Sequence, residues 1–263
     1  MTNTGSNEDH NKIKAVDSTL DIICTLTEEG PLTITEVASA LDRSPSNVLA
    51  HLRTLQERGF VVEEDNRYQP GLRYYEIGSR MRHNYPLYVH GKEPADELAN
   101  ETGEYVWLMV EEQGWGYFLY KTGGSDAVES GAYTKGSRWH LNSPASGKVV
   151  LAHMDEERVN EILDMHGLKQ MTPNTIMDRE ELLTELEIIR DQGFARDEEG
   201  SAIGINGVAA PVQGLDGMIG TISISGPASR INGEYFQETL PDKLTKTADI
   251  IRIRYNGDAA VQE

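Results

Sequence analysis

Apolar residues recur at helical spacing in three short stretches near the N-terminus, separated by residues that break helices. Ile13, Val16, Leu20, Ile23 and Leu26 predict a first helix from Ile13 to Glu29, closed by Gly30-Pro31. Ile34, Val37, Ala38 and Leu41, at i, i+3, i+4 and i+7, predict a second. The third stretch, SPSNVLAHLRTLQERG, carries its own punctuation. Ser44 is a natural N-cap, Pro45 suits the first helical position where a missing N–H costs nothing, and Gly59 is a left-handed stop. Leu49, Leu52 and Leu55, with Val48, form its inward stripe, leaving Ser46, Asn47, Ala50, His51 and Arg53 on the other side. FVVEED and RYQPG then read as two short strands around Asp65-Asn66. Helix, helix, capped helix and hairpin make a winged helix-turn-helix over residues 11–72; the alternative is a generic three-helix bundle with a hairpin. In a winged helix the third helix enters the major groove. That makes Ser44, Ser46, Asn47, His51 and Arg53 candidate base or phosphate contacts, with Arg67 of the wing reaching the flanking backbone or minor groove.

Beyond the wing, Arg73 to about Tyr85 reads as a connecting helix, and residues 73–91 as a linker. Its tyrosines, Tyr74, Tyr75 and Tyr85, either meet a partner subunit or cover the winged module's own core. The remainder, residues 92–255, mixes strand and helix patterns and predicts an α+β domain. YVWLMVEE and WGYFLYKT pair across Gln113-Gly114, AVESGAY is a candidate third strand, and INGVAAPVQ and MIGTISISG pair around GLDG. PASGKVVLAHM reads as a helix entered through a turn of small residues. DREELLTELEIIRDQG is an amphipathic helix with Leu182, Leu183, Leu186 and Ile189 inward and Gly193 as its stop. A last helix runs from about Gly233 to Arg254. Residues 1–10 and 256–263 are expected to be disordered tails.

Charge changes this picture. With 43 acidic residues against 24 basic ones, the formal net charge is −19, the wrong sign for approaching phosphate. The acidity is spread along the chain, a solubility strategy suited to a salt-rich cytoplasm, with an ordinary acidic protein as the alternative. At about 1 M salt the Debye length falls to ~3 Å, so long-range repulsion from DNA largely disappears and short-range contacts decide binding. Arg43, Arg53, Arg58, Arg67 and Arg73 keep the third helix and wing locally positive. The N-terminus has no apolar signal region and no stretch is apolar enough for a membrane span, so a cytoplasmic protein is expected. Cys24, the single cysteine, is expected as a small core residue.

Catalytic chemistry finds little footing. GKVVLA lacks the glycine-rich run and hydroxyl of a phosphate loop. His140, His153 and His166, with no cysteine nearby, fit no metal spacing. The run Asp197-Glu198-Glu199 has the composition of a solvated turn. No enzyme activity, cofactor or metal is expected.

The chain resembles the IclR family of transcriptional regulators over nearly its whole length, in an acidic form. The resemblance rests on the winged helix, HLNSPASGKVVLA, the segment from Asp178 to Gly193, FARDEEGSAIGINGVAAPV and TISISGPASRI, in that order. It implies a GAF-like effector domain, with a curved antiparallel sheet, that binds a small organic molecule such as a carboxylic acid or sugar-pathway metabolite. It also implies homodimers or homotetramers on a palindromic double-stranded DNA operator. Effector contacts implied by the resemblance are Ala145 and Ser146 in the small-residue turn, Asp197, and Ser223 and Ser225 on one strand. Gly207 stands where many members carry cysteine, which implies a larger pocket or one of different polarity. Physical chemistry fits the grouping: Ser223 and Ser225 share a strand face about 7 Å apart, and the Ser146-Gly147 turn opens a helix N-terminus suited to a carboxylate. The alternatives are a polar strand edge without a ligand and a domain that serves only as an oligomerisation or protein-interaction scaffold.

Overall fold

The computed structural model describes residues 13–129, 136–215 and 217–262, and the chain forms two compact units, Met1–Met81 and Arg82–Glu263. The expected N-terminal tail, residues 1–10, lies outside the described residues.

The first unit contains α1 (Lys14–Glu29), α2 (Ile34–Ala40), α3 (Pro45–Glu57), the strands β1 (Val61–Glu64) and β2 (Arg67–Pro70), and α4 (Arg73–Arg82). Ser44 caps α3 by accepting the Asn47 amide at 3.3 Å. At the other end the Phe60 amide bonds back to the Leu55 carbonyl at 2.8 Å and Gly59 takes φ +75°, a closure that requires the left-handed region. Asp65 and Asn66 both have positive φ, as a two-residue hairpin turn demands. Ile22, Leu26, Val37, Val48, Leu52, Leu55, Val61 and Tyr68 form the core.

Two expectations for α1 are corrected. Its inward face is Ser18, Ile22, Thr25 and Leu26, whereas Ile13, Val16 and Leu20 are 69%, 51% and 53% exposed. Ile22 and Leu26 of that face bury in the module's core, and the Arg43 guanidinium bonds the Ser18 hydroxyl and Asp21. Cys24 is exposed rather than in the core. Of the linker tyrosines in this unit, Tyr74 packs edge-on against Phe60 at 5.0 Å, while Tyr75 is exposed.

The second unit is built on an antiparallel sheet. Its strands are β3 (Tyr105–Glu112), β4 (Trp115–Gly123), β5 (Arg138–His140), β6 (Ala195–Glu198), β7 (Ile205–Gln213) and β8 (Met218–Pro227). Among the described residues they form one curved sheet in the order β5-β4-β3-β8-β7-β6. Helices cover both faces. On one lie α5 (Pro86–Thr102) and α9 (Leu240–Gln262), packing Leu98, Leu244 and Ile251 against Leu108, Val208, Ile222 and Ile224. On the other lie α6 (Ala145–Ala152), α7 (Glu156–His166) and α8 (Arg179–Gln192), packing Val149, Ile162, Leu182 and Ile189 against Trp107, Met109, Phe118 and Ala209. Alternate residues of β3 therefore feed two cores, the period-2 consequence of a pleated strand.

Several elements differ from the sequence pattern. The stretch 73–91 is two helices, because α5 begins at Pro86 and runs on with Pro94 inside it. Proline usually argues against a helix interior, but Pro94 is buried on the face that α5 lays on the sheet. The sheet's edge strand beside β4 is Arg138–His140; of the candidate strand AVESGAY, residues 127–129 are irregular and 130–133 lie outside the described residues. The segment 256–262, expected as a disordered tail, continues α9. Asp197 and Glu198 are strand residues of β6, with Asp197 buried.

Candidate functional site

Ladder register assembles the C-terminal site from strands far apart in sequence. Asp197 of β6 stands opposite Gly207 of β7, which stands opposite Ser225 of β8, which stands opposite Tyr105 of β3. In the next row on the same face lie Ala195, Ala209, Ser223 and Trp107. Over these rows sits the start of α6, where the Ser146 hydroxyl donates to Ser223 Oγ at 2.9 Å. The result is a small recess of about 30 Å³ lined by Ala145, Ser146, Asp197, Gly207, Ser223 and Ser225, together with Trp107 and Phe118. All six residues that the sequence nominated for an effector line this one cavity. Trp107, Phe118, Ile205 and Ile224 also line it and were not nominated. Alternation along β3 marks Trp107 as facing one side, but only the register says which strand lies beside it.

The hydrogen bonds set what the recess can recognise. Ser223 accepts from Ser146, and Ser225 accepts from the Trp107 indole N–H at 2.9 Å. Each of these serines retains its own hydroxyl hydrogen to donate. Pro144 caps α6 without a side-chain hydrogen bond, so the first-turn amides add further donors. Asp197 is the opposing group. Burial pushes its carboxyl above the usual carboxylate range, against the pull of Ser201, Lys148 and the Gly200 and Ser201 amides. Its Oδ1 accepts the Gly200 amide at 2.8 Å. Gly207, between Asp197 and Ser225, leaves the floor bare: a Cβ there would come within 3.2 Å of the Ile224 carbonyl.

The glycine of PASGK is a packing requirement. A Cβ on Gly147 would lie 2.4 Å from the Leu141 carbonyl oxygen and 2.7 Å from its Cα, so backbone would have to move. Gly147→Ala is expected to cost about 1–3 kcal/mol, the usual range for overpacking a core, read as a lower denaturant midpoint at unchanged slope.

In the first unit, Ser46, Asn47, Ala50 and Arg53 lie exposed along one side of α3. Other nominated residues are occupied. Ser44 spends its hydroxyl on the cap, and His51 is half-buried with Nδ1 2.9 Å from the Thr19 hydroxyl of α1. Arg67 is folded back, donating to the Pro31 carbonyl at 2.9 Å and to Glu36 at 3.1 Å and 3.3 Å. Glu36 in turn closes the α2 capping box with Thr33, and the Thr33 amide and hydroxyl, then Arg67, hold its carboxyl below the usual range. Arg67 thus braces the wing against α2.

Among the described residues no group of three or more His, Cys, Asp or Glu could hold a metal ion. His140 and His166 pack instead on Trp115, at 4.6 Å and 4.5 Å between ring centroids. Among the described residues no helix is long and apolar enough to cross a membrane.

A capped helix-turn-helix with a wing, in one chain with a sheet domain holding a small recess lined by serines and aromatic residues, defines a transcriptional regulator of the two-unit kind. Residues 81–253 match the family model for the bacterial transcriptional regulator IclR C-terminal domain, and residues 16–78 match the model HVO_A0114. The chain belongs to the IclR family of transcriptional regulators. It is 27% identical over 255 residues to the probable HTH-type transcriptional regulator ArcR of Halobacterium salinarum, covering 95% of this chain and 96% of that one. The crystal structure of Thermotoga maritima IclR superposes with a TM-score of 0.75 at 30% identity, covering 93% of this chain and 99% of that one. An IclR homologue from Microbacterium hydrocarbonoxydans, complexed with 4-hydroxybenzoate, shares the fold with a TM-score of 0.77 at 19% identity, covering 90% and 97%.

Proposed function

We propose that this regulator binds a specific operator through α3 and that a small carboxylic acid in the sheet-domain recess changes its operator affinity. The observation that carries the effector half is convergence. Ser146, Asp197, Ser223 and Ser225 come from three separate elements to one recess, and an oligomerisation scaffold has no need of such an arrangement. The ligand class follows from donor count. The Ser223 and Ser225 hydroxyls and the α6 first-turn amides all donate, which matches a carboxylate. Asp197 would accept from a hydroxyl or amide elsewhere on the ligand. That the Microbacterium homologue is complexed with 4-hydroxybenzoate is in keeping with an acid ligand on this fold.

Regulation then follows from differential affinity. An effector that prefers one arrangement of the paired DNA-binding units in a homodimer or homotetramer shifts binding to a palindromic operator by that preference and no more. The test is a thermal-shift screen of small carboxylic acids in high-salt buffer, followed by operator titration with and without each hit. A ligand-dependent rise in melting temperature that Ser223→Ala abolishes, with a matching change in operator affinity, is the expected result. Binding without any change in operator affinity would refute the switch. No binding from a broad acid library would favour the scaffold.

A further inference from the structure

The recess over Ser223 and Ser225 is nearly shut. Its free space of about 30 Å³ has room for roughly two water molecules, far below the ~300 Å³ at which ligand pockets begin. A wall must therefore move before an organic acid enters. Most of the lining is fixed. Gly207, Ser223 and Ser225 are ladder residues inside the sheet. The entry to α6 is tied down: Asn142 bonds the Lys169 amide and carbonyl, and Ser201 donates to the Ser143 carbonyl at 3.0 Å. Asp197 is held by the Gly200 amide. Trp107 is different, because its indole turns about its own side-chain torsions without moving β3. It is the larger of the two aromatic walls, and its N–H reaches into the recess to Ser225.

Resting on the reading of this recess as the effector site, we infer that Trp107 is its gate and that Lys121, tied to Glu129, is the latch. Register sets Lys121 of β4 opposite Trp107 of β3. The Lys121 ammonium lies 4.8 Å from the Trp107 ring centroid and 4.0 Å from that of Tyr105. Neither Lys121 nor Tyr105 lines the recess, so the part of the indole they cover lies outside it. Glu129 accepts from Lys121 Nζ and from the Tyr105 hydroxyl, both at 2.5 Å, and so pins the ammonium over both rings. The Lys121 side chain is 13% exposed and that of Glu129 is 60% exposed. The anchor of the latch therefore sits at the surface, where it releases into water. With the latch closed, Trp107 keeps its N–H on Ser225 and its ring beside the two serines. Outward rotation breaks that bond, frees Ser225 to meet a ligand and adds the ring's volume to the recess. Effector binding then carries the cost of opening, and the latch sets the fraction of molecules that are open.

Opening is read without a ligand, from solvent exchange of the indole N–H groups in the isotope-labelled full-length protein at high salt and constant pH. Trp115→Phe and Trp139→Phe assign the signals. The Trp107 N–H is expected to show a larger open fraction than the Ile222 amide of β8, which opens with the sheet. Lys121→Met and Glu129→Gln should each speed Trp107 exchange about 2- to 30-fold, the range for a cation over an aromatic face. Ile222, Trp115 and Trp139 should be unchanged, and Lys121→Arg, which keeps the charge, should restore the wild-type rate. Titration calorimetry with sodium lactate then links gate to site. Both latch variants should tighten lactate binding by the factor by which they speed exchange. They change the local charge in opposite directions, so tightening in both is not simple attraction of the acid. A Trp107 N–H that opens only with Ile222, or faster exchange without tighter binding, would overturn the gate and leave the acid sensor standing. If neither lactate nor any acid of the screening library bound, gate and sensor would fall together.

Discussion

Asp197→Asn is expected to separate stability from sensing: it should gain stability relative to the wild type as pH rises to neutral, yet lose effector affinity. Asp197 is 7% exposed, and burial raises its carboxyl above the ordinary value. The folded chain therefore holds that proton more tightly than the unfolded chain does. The resulting stability is fully present below the unfolded value of about 3.9 and is lost as pH rises through the folded value. Asparagine has no such dependence, and its carbonyl can still accept the Gly200 amide. Subtracting the two unfolding curves, measured from acid to neutral pH at constant high salt, isolates Asp197 from the other carboxylates. The variant's relative stability should climb across that interval, while its acid affinity falls about 10- to 100-fold, the range for losing a hydrogen bond to a charged group. Parallel curves would mean that the carboxylate is held without a net burial cost. Retained affinity would remove Asp197 from the site.

The second large effect concerns DNA. Asn47→Ala and Arg53→Ala are each expected to weaken operator binding by about 5- to 100-fold, the range for a base-edge contact worth ~1–3 kcal/mol. They should relax discrimination at the base pairs touched. Arg67→Ala should behave differently. Its guanidinium is committed to Glu36 and Pro31, so the change should loosen the wing and lower the melting temperature of the N-terminal unit, with a smaller loss of operator affinity. Footprints and affinities at several salt concentrations distinguish the cases, because a lost phosphate contact flattens the salt dependence while a lost base contact does not. If all three variants lose affinity equally and keep their stability, the brace assignment for Arg67 is wrong. With a net charge of −19 on the chain, these titrations belong in high salt, where short-range contacts dominate.

Most of the winged helix was legible because its signals are local. A serine cap, a proline at the first position and a glycine stop act within one turn of the helix they bound, and Asp65-Asn66 sets its hairpin without outside help. The phase of α1 was less legible. Ile13, Val16 and Leu20 form as good a stripe as the buried one, and only packing of Ile22 and Leu26 against Val37, Val48 and Leu52 shows which face turns inward. In the sheet domain the hairpin strands were plain from alternation and turn residues. α5 was obscured by Pro94, and β5 by a strand of three residues.

By itself the sequence determined the order of the elements, the capped third helix with its exposed Ser46, Asn47 and Arg53, and the pairing of Ser223 with Ser225 on one strand face. These depend on periodicity, capping and turn chemistry, which reach no further than a few residues. Only the tertiary structure decided what those groups meet. Ladder register brought Asp197, Gly207 and Ser225 into one row and set Trp107 beside them. Packing buried Asp197, which composition alone assigns to a solvated turn, and set it in the lining of the recess. It also turned His51 toward α1 and Arg67 toward Glu36. Partners of that kind are fixed by long-range packing and strand pairing, which local sequence does not encode.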